Sequence, residues 1–355
     1  MQKLTKLREQ FDQLGIDGIL ITNAQNRRYL TGFTGSAGIV VITKTEAILF
    51  VDFRYVDQAN SQVNDYKVIQ IRGNEAIYEE VAKMAERLNV SSIGFEKEHV
   101  SYHLYTQYRE RVSAEMVPLS GVVEKLRMIK TEEEIQNIKT AAKIADTAFT
   151  HILDYIRPGV SEIEVANELE FSMRKLGATS SGFDIIVASG QRSALPHGVA
   201  STKLIEKGDM VTLDFGAYYQ GYRSDMTRTI ALSEPKAELK EIYNIVFAAL
   251  SNALAAIKPG ITGQEADAFT RDYITEKGYG EQYGHGSGHG IGLDIHEEPF
   301  MSPKCDIFLK PGMIVTAEPG IYIPDLGGVR IEDDILITEY GNNIITKSPK
   351  ELIIL

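Results

Sequence analysis

The sequence predicts a two-domain protein of the α/β (α+β) class, and three observations carry this prediction. At 355 residues the chain is long enough for two domains. Strand and helix patterns alternate over residues 1–120, as they do in a small α/β domain. The remainder contains an internal repeat of helices and β-rich runs, which indicates two similar halves.

Composition excludes several classes of partner. The net charge of −12 argues against nucleic acid and anionic membranes, which both require a basic face. Cys305 is the one cysteine of the sequence, so no internal disulfide indicates an oxidising compartment. No apolar run matches a signal peptide or a membrane span. We therefore expect a cytoplasmic protein.

The first 120 residues predict the elements of the small domain. Runs rich in β-branched and apolar residues predict strands at 18–22, 38–43, 47–52, 66–71 and 93–95. Amphipathic patterns predict helices at 3–14, from 54 onward, at 76–88 and at 102–111. The stretch Ser120–Met128 is predicted as a linker. The domain organisation is thus 1–120, a linker at 121–130, and a second domain at 131–355.

The second domain opens with a long helix, which a capping box at Thr131 and Glu134 begins. The segment Ile156–Gly177 then matches Ile257–Gly278, 101 residues later. Both contain a Pro-Gly break, a Ser or Thr cap, a glutamate three residues after the cap, and a closing glycine. Each copy predicts a helix end followed by a second, capped helix.

A carboxylate pair lies in Met210–Ile230, which reads as two strands joined by a turn. If the turn closes through Tyr219–Gln220, Asp214 and Asp225 lie opposite each other with Cβ atoms about 5 Å apart. Two carboxylates that close repel each other, and a pair of divalent cations would stabilise them. The alternative is that one aspartate lies in the turn and the other is solvated.

The repeat supplies a second carboxylate pair. When Lys207–Gly216 is aligned with Lys310–Gly320, Asp214 matches Glu318. Glu332 follows further on, and these two glutamates flank a loop at 324–328. The simplest architecture packs two similar halves about a pseudo-twofold axis, with four carboxylates converging between them.

Histidines accompany the carboxylates. His285 and His289 lie among glycines, which make a regular helix unfavourable and predict a loop close to a ligand. His296 ends a predicted short strand, 291–295, and His197 follows a proline. A single histidine is more often a structural polar group than a ligand, but three within twelve residues beside a carboxylate cluster favour a functional site.

Four carboxylates and an imidazole, without thiolate, predict a site for hard or borderline ions. Mn²⁺ is favoured, with Co²⁺, Fe²⁺ or Zn²⁺ as alternatives. A dinuclear centre can lower the pKa of a water between its metals and deliver hydroxide to a carbonyl. The remaining histidines can donate hydrogen bonds to that carbonyl.

The motifs LDFG…SDMTRT, HGSGHGIGLDIHE, TAEPGIY and RIEDD resemble those of the methionine aminopeptidase–prolidase–aminopeptidase P metallopeptidases, over about residues 125–355. The resemblance implies a pita-bread catalytic domain. The first domain resembles the creatinase/prolidase N-terminal domain, which methionine aminopeptidases lack. The runs YLTGFTGSAG and VDFRY resemble small bacterial aminopeptidase P sequences in particular.

The resemblance also implies roles for individual residues. Two divalent metals per subunit would be held by Asp214, Asp225, His289, Glu318 and Glu332, of which Asp225 and Glu332 would bridge both. Glu318 would also transfer a proton from the attacking water to the leaving proline nitrogen. The residues implied in contacts with substrate are His197, His285, His296 and Arg330. Arg330 would orient a bridging carboxylate or the substrate; the alternative is that it only compensates charge.

The implied substrate is a peptide with proline at its second position, cleaved before that proline. Dipeptide-specific prolidases usually carry an arginine shortly after the HExP segment, where this sequence has Phe300, and Lys304 is not a bidentate substitute. We therefore favour an Xaa-Pro aminopeptidase, with an Xaa-Pro dipeptidase (prolidase) as the alternative. A non-catalytic peptide-binding homologue is a remote alternative, because none of the five ligand types is missing. Relatives with this N-terminal domain are commonly dimers, so we expect a homodimer.

Overall fold

The computed structural model describes residues 2–73 and 76–355, and the chain divides into two units, Met1–Arg127 and Met128–Leu355. Each unit has its own hydrophobic core. Among the described residues no helix is both long enough and apolar enough to cross a membrane.

The first unit is a mixed sheet with helices. Its strands are β1 (Gly18–Ile21), β2 (Ile39–Thr43), β3 (Ala47–Val51), β4 (Lys67–Gln70), β5 (Ser92–Glu96) and β6 (Glu115–Leu119). They lie in the order β4-β3-β2-β1-β5-β6, with β1 antiparallel to β2 and parallel to β5. Its helices are α1 (Gln2–Arg8), α2 (Phe11–Leu14), α3 (Ala24–Thr31), α4 (Val56–Gln62), α5 (Ala76–Arg87), α6 (Tyr102–Arg111) and α7 (Val122–Arg127).

Most elements expected in this unit are present, and the exceptions have local causes. The helix expected at 3–14 is two short helices, and the second ends at Gly15, whose φ of +66° is a left-handed C-cap. The stretch Ser120–Met128, expected as a linker, contains α7, whose Val122 and Val123 are buried. Composition alone did not distinguish this short packed helix from a linker.

The second unit contains two helix–strand halves in the same order. Its helices are α8 (Glu132–Tyr155), α9 (Glu162–Lys175), α10 (Ala237–Ala256) and α11 (Gly263–Glu276). The first half adds β7 (Ser180–Ser181), β8 (Ile186–Ser189), β9 (Met210–Phe215), β10 (Ala217–Tyr219), β11 (Tyr222–Arg223) and β12 (Met226–Ala231). The second half adds β13 (Gly288–Gly290), β14 (Glu297–Met301), β15 (Ile314–Ala317), β16 (Gly320–Ile323), β17 (Gly327–Arg330), β18 (Asp333–Ile337) and β19 (Asn342–Ile344).

The capping boxes predicted from the repeat are confirmed. In each, the cap hydroxyl accepts a hydrogen bond from a backbone N–H three residues on, and the glutamate there accepts one from the cap N–H. The three pairs are Thr131–Glu134, Ser161–Glu164 and Thr262–Glu265. Gly159 and Gly260, in the two Pro-Gly breaks, have φ of +90° and +89°, which glycine adopts without strain.

The first hairpin has a different register from the expected one. Its turn closes through Gln220–Gly221, because Tyr219 pairs with Tyr222, and both turn residues have positive φ. Asp214 therefore lies opposite Thr227 instead of Asp225. Since Asp225 is two residues before Thr227, it stays on the strand face that Asp214 shares. The expected pairing of Asp214 with Asp225 was wrong, but both side chains still project from the same face of the strand pair.

The second hairpin brings its glutamates together directly. Ala317 pairs with Asp333 in β15–β18, and Gly320 pairs with Arg330 in β16–β17. The same register runs through both pairs, so Glu318 lies opposite Glu332. In the first half, the two carboxylates are offset by two residues across the strand pair. In the second half, they lie directly opposite each other.

Candidate metal centre

All nine side chains singled out in the sequence line one cavity of about 540 Å³ in the second unit. Three of them lie within strands: Asp214 on β9, His289 on β13 and Arg330 on β17. The rest lie at strand ends or in adjoining segments, and they are His197, Asp225, His285, His296, Glu318 and Glu332. Convergence is therefore a property of the sheets.

Two expectations for the histidine segment were wrong. His289 lies on a short strand and not in a loop, because Gly288 and Gly290 pair with β14. An ideal Cβ at Gly288 would lie 2.1 Å from the carbonyl oxygen of Thr316, so glycine is required there for close strand approach. The stretch 291–295 is a bend and not a strand, and strand β14 starts directly after His296.

The centre of the cluster has the geometry of a cation site. Asp225, His289 and Glu332 are buried, and one ligand atom of each lies within 4.8 Å of the others. The His289 Nε2 atom lies 3.7 Å from Asp225 Oδ2 and 3.4 Å from Glu318 Oε1. Its Nδ1 lies 3.1 Å from the Gly290 carbonyl, which favours the proton on Nδ1 and leaves the lone pair of Nε2 facing the carboxylates.

Buried oxygens without partners support the same conclusion. Asp214 Oδ1, Asp225 Oδ1 and Glu332 Oε1 are buried and have no hydrogen-bond partner among the described residues. Such atoms are costly unless hydrogen bonds or bound ions compensate them. The donor set of four carboxylates and one imidazole therefore fits divalent ions.

Burial dominates the electrostatics of the carboxylates. It raises the pKa of Asp225 well above its usual range, and the charges of Glu332 and Asp214 raise it further. The pKa of Glu332 is likewise raised well above its usual range by burial and by the charges of Glu318 and Asp214. Burial also raises the pKa of Glu318, against the opposing effects of His285 and Arg330. Each shift reflects like charges held together away from water.

Burial also shifts the pKa values of the histidines, in the opposite direction. It lowers the pKa of His285, His289 and His296, which favours neutral imidazoles at these positions. The rings of His289 and His296 meet edge to face, with centroids 4.4 Å apart. His197 and His296 are the two exposed histidines that line the cavity, and they mark its open side.

Arg330 is a buried hub of hydrogen bonds. Its Nη2 donates to Asp214 Oδ2 at 2.5 Å, and its Nε donates to Thr227 Oγ1 at 3.1 Å. Thr227 in turn donates to Glu332 Oε2 at 2.6 Å. Arg330 thus contacts one carboxylate directly and reaches a second through a hydroxyl. This matches the carboxylate-orienting alternative better than simple charge compensation.

Three contributors were missed from the sequence. Thr227 and Thr316 each lie two residues from a cluster carboxylate, Asp225 or Glu318, so the two-residue strand period could have identified them. Thr316 Oγ1 lies 3.3 Å from Glu318 Oε1 and 3.1 Å from the His289 backbone N–H. Tyr322 is the third, and its hydroxyl lies 2.8 Å from Arg330 Nη1 and 2.9 Å from His285 Nε2.

Comparison with known proteins gives a consistent result. Residues 136–339 match the model of metallopeptidase family M24, and residues 3–129 match that of the creatinase/prolidase N-terminal domain. The solved Xaa-Pro dipeptidase of Bacillus anthracis is 62% identical, with a TM-score of 0.98 over 100% of this chain and 99% of that chain. These matches confirm the expected fold, a creatinase-type α/β domain followed by a pita-bread domain.

Two further relatives carry different activity names. The Xaa-Pro dipeptidase of Pyrococcus furiosus is 41% identical over 99% of both chains. The solved X-Pro aminopeptidase of Thermotoga maritima is 40% identical, with a TM-score of 0.90 over 98% of this chain and 100% of that chain. Full-length similarity thus extends to proteins named for both activities.

Proposed function

Because this chain belongs to metallopeptidase family M24, we propose that its carboxylate–histidine cluster binds two divalent ions for hydrolysis of Xaa-Pro peptide bonds. The chain is a hydrolase acting on Xaa-Pro bonds, in agreement with full-length relatives named Xaa-Pro dipeptidase. The observation that carries the metal proposal is the set of buried, partnerless carboxylate oxygens facing an imidazole nitrogen.

The proposed metal-holding residues are those grouped at the centre of the cavity: Asp214, Asp225, His289, Glu318 and Glu332. Four carboxylates and one imidazole suit Mn²⁺, which we propose as the resident ion, with Co²⁺, Fe²⁺ or Zn²⁺ as alternatives. Bound divalent ions would lower the pKa of water and polarise a carbonyl oxygen. Metal analysis of the purified protein identifies the ion.

The chain's own residues then have separable tasks. Glu318, half-buried at the cavity wall, accepts a proton from the attacking water and returns it to the leaving proline nitrogen. His197 and His296, on the open side, donate hydrogen bonds to the substrate carbonyl as negative charge develops. His285, between Tyr322 and the cavity, lines the side that receives proline.

The preferred length of the peptide substrate depends on which cations in the cavity can bind its free carboxylate. Within the described part of the chain, Arg330 is the one lysine or arginine that lines the cavity, and it is buried and bound to Asp214 and Tyr322. Phe300, 43% exposed, lies at the cavity wall where a prolidase arginine was sought. We therefore propose an aminopeptidase that releases the first residue of peptides longer than two residues.

A specific finding favours a second candidate, an Xaa-Pro dipeptidase. The Bacillus anthracis structure, at 62% identity, and the Pyrococcus furiosus relative, at 41%, both carry that name. A dipeptidase would need to hold the free proline carboxylate with the cavity histidines instead of an arginine. The two candidates share the cleaved bond and differ in the length of the peptide.

Turnover of the Mn²⁺-loaded protein on Ala-Pro and Ala-Pro-Ala separates the candidates. A higher kcat/KM for the tripeptide supports the aminopeptidase. Exclusive cleavage of the dipeptide overturns that proposal in favour of the dipeptidase. No cleavage of either substrate by fully metal-loaded protein would indicate a peptide-binding homologue.

The role of Phe300 gives a directed prediction. Phe300→Arg places a guanidinium at the cavity wall, so kcat/KM for Ala-Pro should rise by about tenfold relative to Ala-Pro-Ala, as one charge-assisted hydrogen bond provides. Phe300→Leu, which removes the ring without adding charge, is the control and should leave the ratio within about twofold of the original. An unchanged ratio in the arginine variant would remove Phe300 from the specificity argument.

The homodimer and the cytoplasmic location expected from the sequence stay predictions. Sedimentation velocity of the purified chain tests the first, and a mass of one chain at working concentration would contradict it. Cell fractionation tests the second.

A further inference from the structure

Two buried carboxylates outside the proposed metal ligands hold the segments that carry His197 and His285. We infer that Glu162 and Asp267 are positioning residues, which fix these segments against the cavity; the inference rests on the proposed function of that cavity. Glu162 is 0% exposed and Asp267 is 1% exposed. Neither lines the cavity, so each acts through the segment that it holds.

Glu162, in the first turn of α9, ties both ends of the segment that carries His197. Its Oε1 accepts from the backbone N–H and the hydroxyl of Ser189, both at 2.8 Å. Its Oε2 accepts from the backbone N–H of Ser201 at 3.1 Å and from the Ser201 hydroxyl at 2.5 Å. One carboxylate therefore closes the loop 189–201, and His197 lies within it.

Arg192 completes this first clamp from inside the loop. Its Nε lies 3.0 Å from Glu162 Oε2, and its Nη2 donates to the Val199 carbonyl at 2.8 Å. Val199 is two residues from His197, so the guanidinium fixes the backbone on the C-terminal side of the histidine. The carboxylate is fully hydrogen-bonded, which offsets the cost of burying it.

Asp267, on α11, makes the corresponding second clamp. Its Oδ1 accepts from the backbone N–H and the hydroxyl of Ser287, both at 3.0 Å, and its Oδ2 accepts from Arg271 Nε at 2.6 Å. Arg271 Nη2 donates to the His285 carbonyl at 2.7 Å. The Ser287 carbonyl accepts from the Glu318 backbone N–H at 2.9 Å. The clamp thus fixes His285 and reaches Glu318.

The two clamps consist of the same types of group, but their carboxylates do not occupy equivalent positions in the repeat. Each combines a helix carboxylate, a serine N–H and hydroxyl, and an arginine that also binds a segment carbonyl. The repeat aligns Glu162 with Gly263, where an ideal Cβ would lie 2.2 Å from the Phe300 carbonyl oxygen, so no side chain fits there. The second half instead supplies its carboxylate one turn later along the helix.

Helix formation does not require these carboxylates. Glu164 and Glu265 already complete the capping boxes of α9 and α11. Replacing a capping glutamate by glutamine keeps the capping box, so it makes the same carboxylate-to-amide change on the same helix without affecting the clamp. Glu164→Gln and Glu265→Gln are the matched controls.

The kinetic test compares Glu162→Gln with Glu164→Gln in metal-loaded protein on the preferred Ala-Pro substrate. An amide brings N–H groups against donors of the clamp, whereas a carboxylate only accepts. We expect Glu162→Gln to lower kcat/KM by about 10- to 100-fold, the size of effect of a small displacement at a reacting centre, with metal content unchanged. Glu164→Gln should show no such loss of kcat/KM, because glutamine also completes a capping box.

A double-mutant cycle distinguishes positioning from general damage. If Glu162 acts through His197, Glu162→Gln should cause little further loss in a His197→Ala background, and Asp267→Asn should do the same in a His285→Ala background. Losses that multiply in these backgrounds, or normal kinetics in the single variants, would overturn the inference. Ser201→Ala, which removes one donor and leaves the charge paired, is the milder variant if Glu162→Gln does not fold.

Hydrogen exchange provides a readout that does not require peptidase activity. Exchange in 189–201 should accelerate in Glu162→Gln and not in Glu164→Gln, whereas 283–287 should respond to Asp267→Asn and not to Glu265→Gln. Equal exchange in clamp and control variants contradicts the clamps. Inactive wild-type protein would contradict the proposed function alone, because this pattern of exchange would still be measurable.

Discussion

Arg330 shows how one buried cation serves a cluster that contains more negative than positive charge. Burial lowers the pKa of Arg330, but the charges of Tyr322, Asp214, Glu332 and Glu318 together raise it well above its usual value, so the guanidinium stays charged. The four carboxylates of the cluster, Asp214, Asp225, Glu318 and Glu332, still share the cavity with this one guanidinium. This excess of negative charge is the physical reason for expecting that divalent cations, and not hydrogen bonds alone, would stabilise the site.

Asp225→Asn should therefore lower metal content and activity together. The substitution removes a charge at the point where three ligand atoms meet. We expect a loss of at least about 100-fold in kcat/KM, since changing a group that only orients a metal ligand already costs up to that much. Metal per chain is measured by mass spectrometry. Asp184→Asn, at the exposed cavity wall, is the control and should keep its metal; full occupancy with normal turnover in Asp225→Asn would refute its ligand role.

His296→Ala should separate chemistry from metal binding. The His296 side chain is on the open side of the cavity and packs against the His289 ring, but it is not one of the proposed metal ligands. Loss of a hydrogen-bond donor to the developing oxyanion should reduce kcat by about 100- to 1000-fold. Metal content should not change. His151→Ala, which removes an exposed imidazole paired with Glu168, is the matched control, and equal kinetics in both variants would make His296 structural.

At the scale of single elements, the alternation of side chains along strands and the helix caps could be predicted from the sequence. The register between paired strands could not. The three capping boxes follow from residue types at fixed spacing. The register of the first hairpin depends on which two residues adopt positive φ, and Gln220–Gly221 does so instead of Tyr219–Gln220. Asp214 and Asp225 still share a face because the shift moved Asp225 by an even number of positions along the strand.

Other features were hidden because they depend on tertiary contacts. His289 lies on a strand only because β14 and β15 approach its flanking glycines. Glu162 and Asp267 appear in the sequence as ordinary helix acids, and their targets lie 27 and 20 residues away along the chain. Local pattern does not identify partners at such separations, so the nine cavity residues were predictable and the side chains that hold them were not.

The helix caps should contribute to stability without affecting catalysis. Ser161→Ala and Thr262→Ala each remove an acceptor for a helix N–H and should lower the free energy of unfolding by about 1 kcal/mol. Urea unfolding measures the change, and kcat/KM should stay constant. Thr140→Ala, on the exposed face of α8, removes a hydroxyl bonded only to the Gln136 carbonyl and is the control. A cap variant no less stable than this control would contradict the contribution.

At the scale of the whole molecule, each half folds around its own core while the functional residues come from both. One core joins α8 and α9 to β8, β9 and β12, and the other joins α10 and α11 to β15, β17 and β18. Asp225 directly precedes β12 of the first half, whereas His289 lies on β13 and Glu332 directly precedes β18 in the second half. Ions bound by these residues would connect the halves, so metal binding should stabilise the whole second unit.

This coupling should depend on pH in a defined direction. Without metal, the pKa values of Asp225 and Glu332 are raised in the folded state, so the fold holds these protons more tightly than the unfolded chain does. Stability from these groups is therefore fully present below the unfolded pKa of about 4 and is lost as pH rises through the folded pKa. Metal ligands must be deprotonated, so metal-loaded protein gains stability over the same range.

The difference in melting temperature between Mn²⁺-loaded and chelator-treated protein should accordingly widen as pH rises above about 4, the ordinary pKa of these carboxyls. At a free metal concentration of 100 times Kd, binding contributes about 2.7 kcal/mol, which corresponds to a shift of roughly 5–10 °C. Subtracting the two melting temperatures at each pH cancels the contribution of groups that titrate equally in the metal-loaded and metal-free protein. Asp225→Asn should narrow the difference, because it removes one raised carboxyl and one ligand. A difference that stays constant across this range would show that these carboxyls do not couple metal binding to folding.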